Sequence, residues 1–410
     1  MTKLKFDFIK KPFNNLIAHI SIYSFSAYLV SPVFERMIYK ILNDNVENFL
    51  LRLNYWFICV LIIASCSIIT SIAINFIYKL LSKLKTRWTI VIIIIIMIID
   101  CFLANVIEYR KNYYSWNKYY NSPVVGDAKT GTLFDPDIIY DNGIYRLYVS
   151  KRSEGSIVLY ESNDGIHFEN EEIVILKPNS KEFIINRASV LKYNDQYYMY
   201  YTQQRLDNKI NDYKYSAIYL ATSKDGINFD SDFERPVITY TEDYEKTSVM
   251  NPDVIYDEKE KVFKCYYAAG ETFEPDVICY ATSKDGYNWI KYEKNPIFVK
   301  NEDVNSLDSY KVGATDIHYI NNKYYMFYIG YTDLQTARIF LATSEDGINW
   351  VRNGYNPIVE PTKGNFDADA TYKPAAIYDS ENKRWLLYYN GRKGPDEYIG
   401  LVIKNGELLK

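Results

Sequence analysis

The sequence is poor in histidine and has no marked excess of charge of either sign. Only three histidines occur among 410 residues, and 47 basic residues face 51 acidic ones. So few histidines argue against a histidine-ligated metal centre and against a catalytic triad with a histidine base. We therefore expect no metal ion and no cofactor. The lack of a basic excess argues against nucleic acid as a partner.

Glycine is absent from the first 125 residues, and all 17 glycines lie at or after Gly126. The glycine-free part contains three apolar stretches, at 16–34, 55–78 and 88–107, and the second has no charged residue. About 20 apolar residues are enough to cross a bilayer as a helix. We predict an α-helical membrane segment over residues 1–107, with transmembrane helices near 55–78 and 88–107. The stretch at 16–34 either crosses as a third helix or lies in the membrane interface.

The charges between these stretches predict how the chain lies in the membrane. The connector between the second and third stretches holds Lys79, Lys83, Lys85 and Arg87 and no acidic residue. Because lysine and arginine accumulate in cytoplasmic loops, this connector is predicted to be cytoplasmic. The chain then continues through a linker at 108–121 to a domain on the extracytoplasmic side of the cell membrane. The lipid bilayer is a predicted partner, and a further membrane protein stays open as another.

A stretch of the form Ser-x-Asp-Gly-x-x-aromatic recurs through the part of the chain that contains glycine. Its aspartates are Asp164, Asp225, Asp285 and Asp346, which are spaced 61, 60 and 61 residues apart. Asn405-Gly406 stands about one period further on. Asp-Gly between two strands predicts a hairpin, because glycine adopts positive φ readily and aspartate bonds its own backbone. The fixed period indicates five structural repeats.

Each repeat has the strand content of one propeller blade. A proline-led strand follows the hairpins, at 235–238, 295–298 and 356–359, but the fifth repeat ends without one. Ser122-Pro-Val-Val125 precedes the first repeat and is predicted to complete the fifth, which removes an open sheet edge. We predict an all-β, five-bladed β-propeller over residues 122–410. Cys265 and Cys279 fall in neighbouring strands and either form a disulfide or remain two free buried thiols.

The opening strands of the five repeats can be overlaid, and two columns of the overlay are rich in polar residues. The first column is Asp135, Arg187, Asn251, Ala314 and Lys373, and the second is Asp137, Ser189, Asp253, Asp316 and Ala375. The starts of these strands converge on the central channel of a propeller. Buried charges need partners, so one interpretation is a channel lining held together by ion pairs. The other is a binding or catalytic site.

With five repeats, Asp135-Pro136 at the opening of the first, and Ser-x-Asp-Gly-x-x-Trp hairpins, the chain resembles the propeller glycosidases of glycoside hydrolase families 43 and 32, and more distantly 130. The resemblance covers about residues 122–410. It implies that Asp135 acts as general base or nucleophile. The family's second-blade aspartate is replaced by Ser189. Its third-blade glutamate, the general acid, is missing at Val249-Met-Asn-Pro252, and the nearest candidates are Glu245 and Glu242.

Glycoside hydrolysis needs two carboxyl groups, and the candidate catalytic residues are Asp135, Glu245, Asp253 and Asp316. Arginine and lysine suit an anionic group, either an acidic sugar or phosphate. The candidate substrate-binding residues are Arg187, Ser189, Asn251, His318 and Lys373.

Two classes of function follow from this pattern. The first is a membrane-anchored, glycosidase-like enzyme that acts on an envelope or extracellular polysaccharide. The alternatives are a non-catalytic glycan-binding propeller and a phosphate-using glycosyl transfer enzyme on the same scaffold. A second carboxylate facing Asp135 favours hydrolysis, whereas pairing with Arg187 or Lys373 alone favours binding or phosphate chemistry.

Overall fold

The computed structural model describes residues 115–119 and 123–408, apart from 176, 178–180, 211, 273–274 and 407, together with Ile95, Ile98 and Ile99. The chain divides into two compact units, Met1–Ile107 and Glu108–Lys410. The membrane stretches predicted at 16–34 and 55–78, and nearly all of 88–107, lie outside the described residues. Within the described part, no helix has the length and apolar character that crossing a bilayer requires.

The described residues of the second unit form twenty strands, which confirms the all-β prediction. Repeat one holds β2 Leu133–Asp141, β3 Ile144–Lys151, β4 Ser156–Ser162 and β5 Glu169–Ile173. Repeat two holds β6 Phe183–Tyr193, β7 Gln196–Asp207, β8 Asp212–Ser223 and β9 Asp230–Ser231. Repeat three holds β10 Ser248–Asp257, β11 Val262–Gly270, β12 Pro275–Ser283 and β13 Trp289–Lys291, with a short 3-10 helix at Asp243–Glu245 before it.

Repeat four holds β14 Lys311–Ile320, β15 Lys323–Tyr331, β16 Ala337–Ser344 and β17 Val351–Arg352. Repeat five holds β18 Ala370–Asp379, β19 Arg384–Lys393 and β20 Asp396–Asn405. Its fourth strand is β1, Asn117–Lys118, which pairs antiparallel with β20. Within every repeat, successive strands pair antiparallel, and a single parallel pair, Ser216 with Ser248, joins repeats two and three.

The Asp-Gly hairpins follow the third strand of each of the first four repeats and have one geometry. In repeat two, the Asp225 carboxylate accepts hydrogen bonds from the backbone N–H groups of Ile227 and Asn228, both at 2.8 Å. Gly226 has φ +75°, a conformation that glycine adopts without strain. A tyrosine of the preceding repeat donates to its carbonyl oxygen, Tyr148 Oη at 2.7 Å. These aspartates are therefore turn residues, as predicted.

The segment before repeat one packs against repeat five. Val125 forms a bridge with Ile399, the counterpart of the bridges between Ile218 and Ile238, Ile278 and Phe298, and Ile339 and Val359. Lys118 of β1 pairs with the buried Asp367. Part of the predicted linker at 108–121 is therefore a strand. Its backbone pairs with β20, and its Lys118 forms an ion pair with Asp367.

The hydrophobic core consists of clusters between neighbouring repeats. One cluster joins Tyr148 of repeat one to Met199 of repeat two, and another joins Leu147 of repeat one to Leu386 of repeat five. Cys265 and Cys279 are free and buried between repeats two and three. Of the two alternatives for these cysteines, the buried thiols are correct.

Candidate active site

A β-bulge interrupts the opening strand of every repeat, and its residues include the first column of the overlay. The strand register shifts between Phe134 and Asp137 in β2, and equivalent shifts occur in β6, β10, β14 and β18. All five first-column residues have positive φ: Asp135 51°, Arg187 58°, Asn251 49°, Ala314 36° and Lys373 26°. Positive φ is unfavourable for residues other than glycine. Such bulges redirect a side chain and often lie beside active sites.

Side chains of the preceding repeat hold three of these bulges. The backbone N–H of Arg187 donates to Ser150 Oγ at 2.9 Å. The N–H of Asn251 donates to Thr202 Oγ1 at 3.0 Å. The N–H of Asp135 donates to Asn390 Oδ1 at 3.4 Å, which connects repeat one to repeat five. The strained backbone is thus fixed by contacts between repeats.

The bulges of the first three repeats open onto a cavity of about 400 Å³. This volume lies in the range of small-molecule sites. Its polar lining includes Asp135, Asn186, Arg187, Asn251, Asn390 and Glu397. Its apolar and aromatic lining includes Phe134, Ile184, Tyr213, Tyr331 and Tyr372. Three of the predicted first-column residues therefore do line a common site.

Asp135 is buried in this cavity and forms an ion pair with Arg187, in which Arg187 Nε lies 3.2 Å from Asp135 Oδ2. Burial raises the pKa of the Asp135 carboxyl, because removal from water penalises the charged form. The positive charges of Arg187 and Lys373 oppose this effect. Pairing of Asp135 with a basic residue was one of the two alternatives left open by the sequence, and the pair with Arg187 is present.

A second carboxylate, that of Glu397 on β20, lines the same cavity. Asn390 Nδ2 donates to Glu397 Oε2 at 2.8 Å, and Arg152 Nη2 lies 2.8 Å from Oε1. Burial raises the pKa of Glu397 to about 7; Arg152 opposes the rise and the charge of Asp135 adds to it. The two carboxyl groups are therefore electrostatically coupled, and Asn390 touches both residues.

Sequence reasoning missed Glu397 because only the opening strands were overlaid. Glu397 pairs with Arg392 in the hairpin of β19 and β20, as Ala337 pairs with Tyr331 and Pro275 with Gly270. Overlay of the third strands therefore places a glutamate where two other repeats have alanine and proline. That contrast was available in the sequence.

Glu245, predicted as the general acid, lies elsewhere. Its carboxylate is fully buried and accepts hydrogen bonds from Lys291 Nζ at 2.6 Å and Tyr267 Oη at 3.0 Å. It also accepts hydrogen bonds from the backbone N–H groups of Thr241 and Glu242. Glu245 is not among the residues that line the cavity. The assignment was wrong, because this carboxylate stabilises the chain ahead of β10.

The second-column residues join neighbouring repeats. Their side-chain oxygens accept hydrogen bonds from backbone N–H groups of the next repeat: Asp137 from Val190 at 2.8 Å, Ser189 from Val254 at 3.0 Å, Asp253 from Ile317 at 2.6 Å and Asp316 from Ala376 at 2.6 Å. These residues do not line the cavity described above. The predictions of Asp253 and Asp316 as catalytic and of Ser189 as substrate-binding are therefore corrected, because their oxygens hold the repeats together.

His318 and Lys373 also lie outside the cavity lining. His318 Nε2 is 3.0 Å from Asp316 Oδ2, and its ring packs against Trp385. Lys373 Nζ donates to the carbonyl oxygen of Thr315 at 3.3 Å and is almost fully buried. Burial raises the pKa values of Asp135, Asp137 and Asp253, and the charge of Lys373 opposes that rise. Lys373 thus supports the site electrostatically, whereas His318 packs away from it.

Two family models match parts of the chain. The model of beta-1,4-mannooligosaccharide phosphorylase, glycoside hydrolase family 130, matches residues 231–402. The model of the glycosyl hydrolases family 32 N-terminal domain matches residues 103–186. Among curated proteins, an uncharacterized protein of Mycobacterium tuberculosis is 26% identical over 281 residues, which cover 65% of this chain and 90% of that protein.

Solved structures show the same fold. The structure of an RGII complex has a TM-score of 0.59 at 16% identity, and the match covers 75% of this protein and 97% of that one. A structure of the GH130 family, reported to contain glycoside hydrolases that target beta-1,2 mannosidic linkages in Candida mannan, has a TM-score of 0.56 at 15% identity. That match covers 72% of this protein and 94% of the other. The likeness to these structures shows the fold, and the family models that match parts of the chain are those of glycoside hydrolase families 130 and 32.

Both partial family matches contain residues that line the cavity. The family 32 match contains Asp135, and the family 130 match contains Asn390 and Glu397. Arg187 falls between the two matched ranges. The matches support glycosidase-like activity.

Proposed function

We propose that this protein cleaves O-glycosidic bonds in the cavity, with Asp135 as base or nucleophile and Glu397 as general acid. The observation that carries the proposal is that both carboxyl groups line one cavity, where the charge of Asp135 adds to the rise that burial causes in the pKa of Glu397. Glycoside cleavage uses such a pair, one carboxyl ionised and one protonated. The pKa of Glu397, at about 7, leaves a large protonated fraction at neutral pH, as a general acid requires.

The surrounding residues fit these separate roles. Arg187 favours the ionised form of Asp135 through the pair at 3.2 Å. Asn390 donates to one oxygen of Glu397, and Arg152 holds the other, so the carboxyl group has a fixed orientation. In the cleavage step, Glu397 donates its proton to the leaving oxygen. Asp135 either attacks the anomeric carbon or takes a proton from the attacking water.

The test compares Glu397→Gln with Asp135→Asn on aryl glycosides whose leaving groups differ in acidity. A dinitrophenolate leaves without protonation, so Glu397→Gln should retain much of its activity on that glycoside and lose it on an alkyl glycoside. Asp135→Asn should lose activity on both. Exposed Glu345, changed to Gln, is the matched control. Equal losses of Glu397→Gln on both leaving groups would remove Glu397 from the role of acid.

A phosphate-using transfer reaction is the second candidate. The family 130 match favours it, as does Nη1 of Arg187, which has no hydrogen-bond partner in the part of the chain that the structure describes. Its distinguishing result is a sugar phosphate product that forms only when inorganic phosphate is present. A product with a free reducing end, formed at the same rate without phosphate, assigns hydrolysis.

We propose further that the five repeats close into a five-bladed propeller. Contacts of the opening strands that continue from β18 to β2 support this, as does the hydrogen bond from Tyr388 Oη to the carbonyl oxygen of Gly165 at 2.6 Å. If Lys118 completes repeat five, Lys118→Ala should destabilise the domain as much as Lys291→Ala. Chemical denaturation measures both, and an unchanged stability of Lys118→Ala would contradict closure.

Membrane attachment and an extracytoplasmic site remain our proposal from the apolar stretches and the basic connector. The substrate is then an envelope or extracellular polysaccharide. Alkaline phosphatase fused after residue 115 should be active in cells, because that enzyme needs an oxidising compartment for its disulfides. Activity of a cytoplasmic reporter at the same junction would contradict this orientation.

A further inference from the structure

Buried polar atoms without partners line the proposed active site. Arg187 is 8% exposed, and its Nη1 has no hydrogen-bond partner among the described residues. The Oδ1 atoms of Asn186 and Asn251, residues that are 2% and 4% exposed, also lack partners within the described part of the chain. A buried polar group without a hydrogen-bond partner is destabilising. A bound ligand that forms hydrogen bonds with these three atoms would remove that cost.

The orientation of Asn186 is set by its neighbour. Asn186 Nδ2 donates to Gln204 Oε1 at 2.7 Å, and Gln204 Nε2 donates onward to the carbonyl oxygen of Thr272 at 3.5 Å. The amide nitrogen of Asn186 is therefore in use, and its oxygen is the atom that remains. This oxygen can accept a hydrogen bond but cannot donate one. A ligand at this position must bring a donor.

Besides Arg152 and Arg187, the cavity lining contains a third guanidinium group, that of Arg392. Its Nη2 donates to the carbonyl oxygen of Gln335 at 2.5 Å, and its guanidinium lies 5.2 Å from the ring centre of Tyr372. Among the described residues, no carboxylate forms an ion pair with Arg392. Arg187 is paired with Asp135, and both Arg187 and Arg392 act electrostatically on Glu397, so what they offer a bound anion is their remaining N–H donors, among them Nη1 of Arg187.

We propose that the cavity selects a sugar that carries a carboxylate, a uronic acid residue, with the carboxylate on the side of Arg187 and Arg392 and hydroxyl groups donating to Asn186 and Asn251. This inference rests on the proposed function, because it names the substrate class of the same site. Guanidinium groups bind carboxylates well, through paired N–H donors. Sugar hydroxyl groups provide the donors that the asparagine oxygens lack.

The asparagine oxygens decide between two anions. Hydrogenphosphate carries a single O–H donor beside its acceptor oxygens, so it can satisfy at most one of the Oδ1 atoms of Asn186 and Asn251 and leaves the other facing an acceptor. A uronic acid residue combines a negative charge with several hydroxyl donors in one rigid ring. The combination of cationic donors and neutral acceptors therefore favours the acidic sugar over inorganic phosphate.

The test is a binding measurement on the full chain with the Glu397→Gln change, which prevents turnover and leaves the pair of Asp135 and Arg187 in place. The probes are methyl glycosides of glucuronic, galacturonic and mannuronic acid, each with its neutral hexose counterpart, and inorganic phosphate. We expect at least one uronoside to bind about tenfold or more tightly than its neutral counterpart, as one charge-assisted hydrogen bond allows. Arg187→Gln, added to Glu397→Gln, should bring the two affinities close together.

Arg235, whose side chain is 88% exposed, is the matched control, and Arg235→Gln should leave the preference unchanged. Equal affinity for uronosides and neutral glycosides would overturn the proposal, as would phosphate that binds more tightly than every uronoside. Binding is measured without turnover, so a lack of glycosidase activity in the wild type would contradict the proposed function alone. Cleavage of neutral glycosides without any uronoside preference would contradict this inference alone.

Discussion

Asp135 and Asp137 lie two residues apart on β2, and both are buried carboxyl groups whose pKa values are raised by burial. Their surroundings differ. Asp135 lines the cavity beside Arg187, in the left-handed conformation of the bulge. Asp137 accepts a hydrogen bond from the backbone N–H of Val190 in the next repeat, at 2.8 Å. One carboxylate faces a ligand site, whereas the other joins two repeats.

The same contrast runs through the two columns. Ser189, Asp253 and Asp316 repeat the junction that Asp137 makes, so the second column has one structural role in four repeats. The first column contains aspartate, arginine, asparagine, alanine and lysine, and what its members share is a backbone conformation with positive φ. The second column makes the same hydrogen bond in four repeats, which indicates a structural role. The first column keeps its backbone conformation while its side chains change, which is what a binding or catalytic site needs.

The strongest test of this contrast is a pair of equal substitutions. Asp135→Asn removes the base or nucleophile and should lower kcat by about 10³-fold or more, within the range for loss of acid–base catalysis. Asp137→Asn keeps an oxygen that can accept from Val190, so kcat should change less than about tenfold. Steady-state kinetics measure both variants, and circular dichroism checks that each is folded. Equal losses would mean that the second column shares in the chemistry.

The pH dependence of kcat/KM gives the next largest effect. Glu397 must be protonated to act as acid, and its pKa of about 7 places the loss of that proton near neutrality. Activity on an alkyl glycoside should therefore fall about tenfold for each pH unit above the pKa. The same raised pKa means that the folded state binds this proton more tightly than the unfolded chain. Stability should accordingly decrease as pH rises from the usual glutamate pKa to about 7.

Glu397→Gln provides the control for both pH effects. Glutamine does not titrate, and a dinitrophenolate leaves without protonation, so the activity that Glu397→Gln retains on a dinitrophenyl glycoside should show no fall near pH 7. The loss of stability with rising pH should also be absent from this variant. A wild-type profile that stays flat through pH 8 would contradict the assignment of Glu397 as the acid.

The sequence predicted the repeats well, because turn chemistry and a fixed period act locally. Asp225-Gly226 and its counterparts form hairpins wherever that motif occurs. Asp135 was also found, since it opens the first repeat. Glu397 was not, because only the opening strands were overlaid and Glu397 lies on β20, the third strand of its repeat. Glu245 was misassigned because its partner Lys291 lies 46 residues further along the chain. Distance along the sequence does not reveal which carboxylate is neutralised.

The scaffold side of the contrast is tested by Ser189→Ala. This change leaves the backbone N–H of Val254 without its acceptor at a fully packed junction, whereas the cavity keeps all its residues. The free energy of unfolding should fall by about 1–3 kcal/mol, the cost of an unsatisfied buried donor. Urea denaturation measures the loss, and the KM of the folded variant should stay unchanged. Ser189→Thr, which keeps the hydroxyl group, is the control.

Substitution of Ala375 by serine is the reverse of Ser189→Ala, and it is expected to change stability least. Ala375 occupies the second column of repeat five, and an alanine side chain has no oxygen with which to join repeat five to repeat one as Ser189 joins repeats two and three. Ala375→Ser supplies a hydroxyl group in the position where Ser189 bonds Val254, so Ile138 of repeat one gains a potential acceptor. The free energy of unfolding should rise by about 0.5–1 kcal/mol, the net value of one neutral hydrogen bond. A loss of stability would show that the junction of repeats five and one, where Asp135 meets Asn390 and Glu397, is spaced differently from the other four.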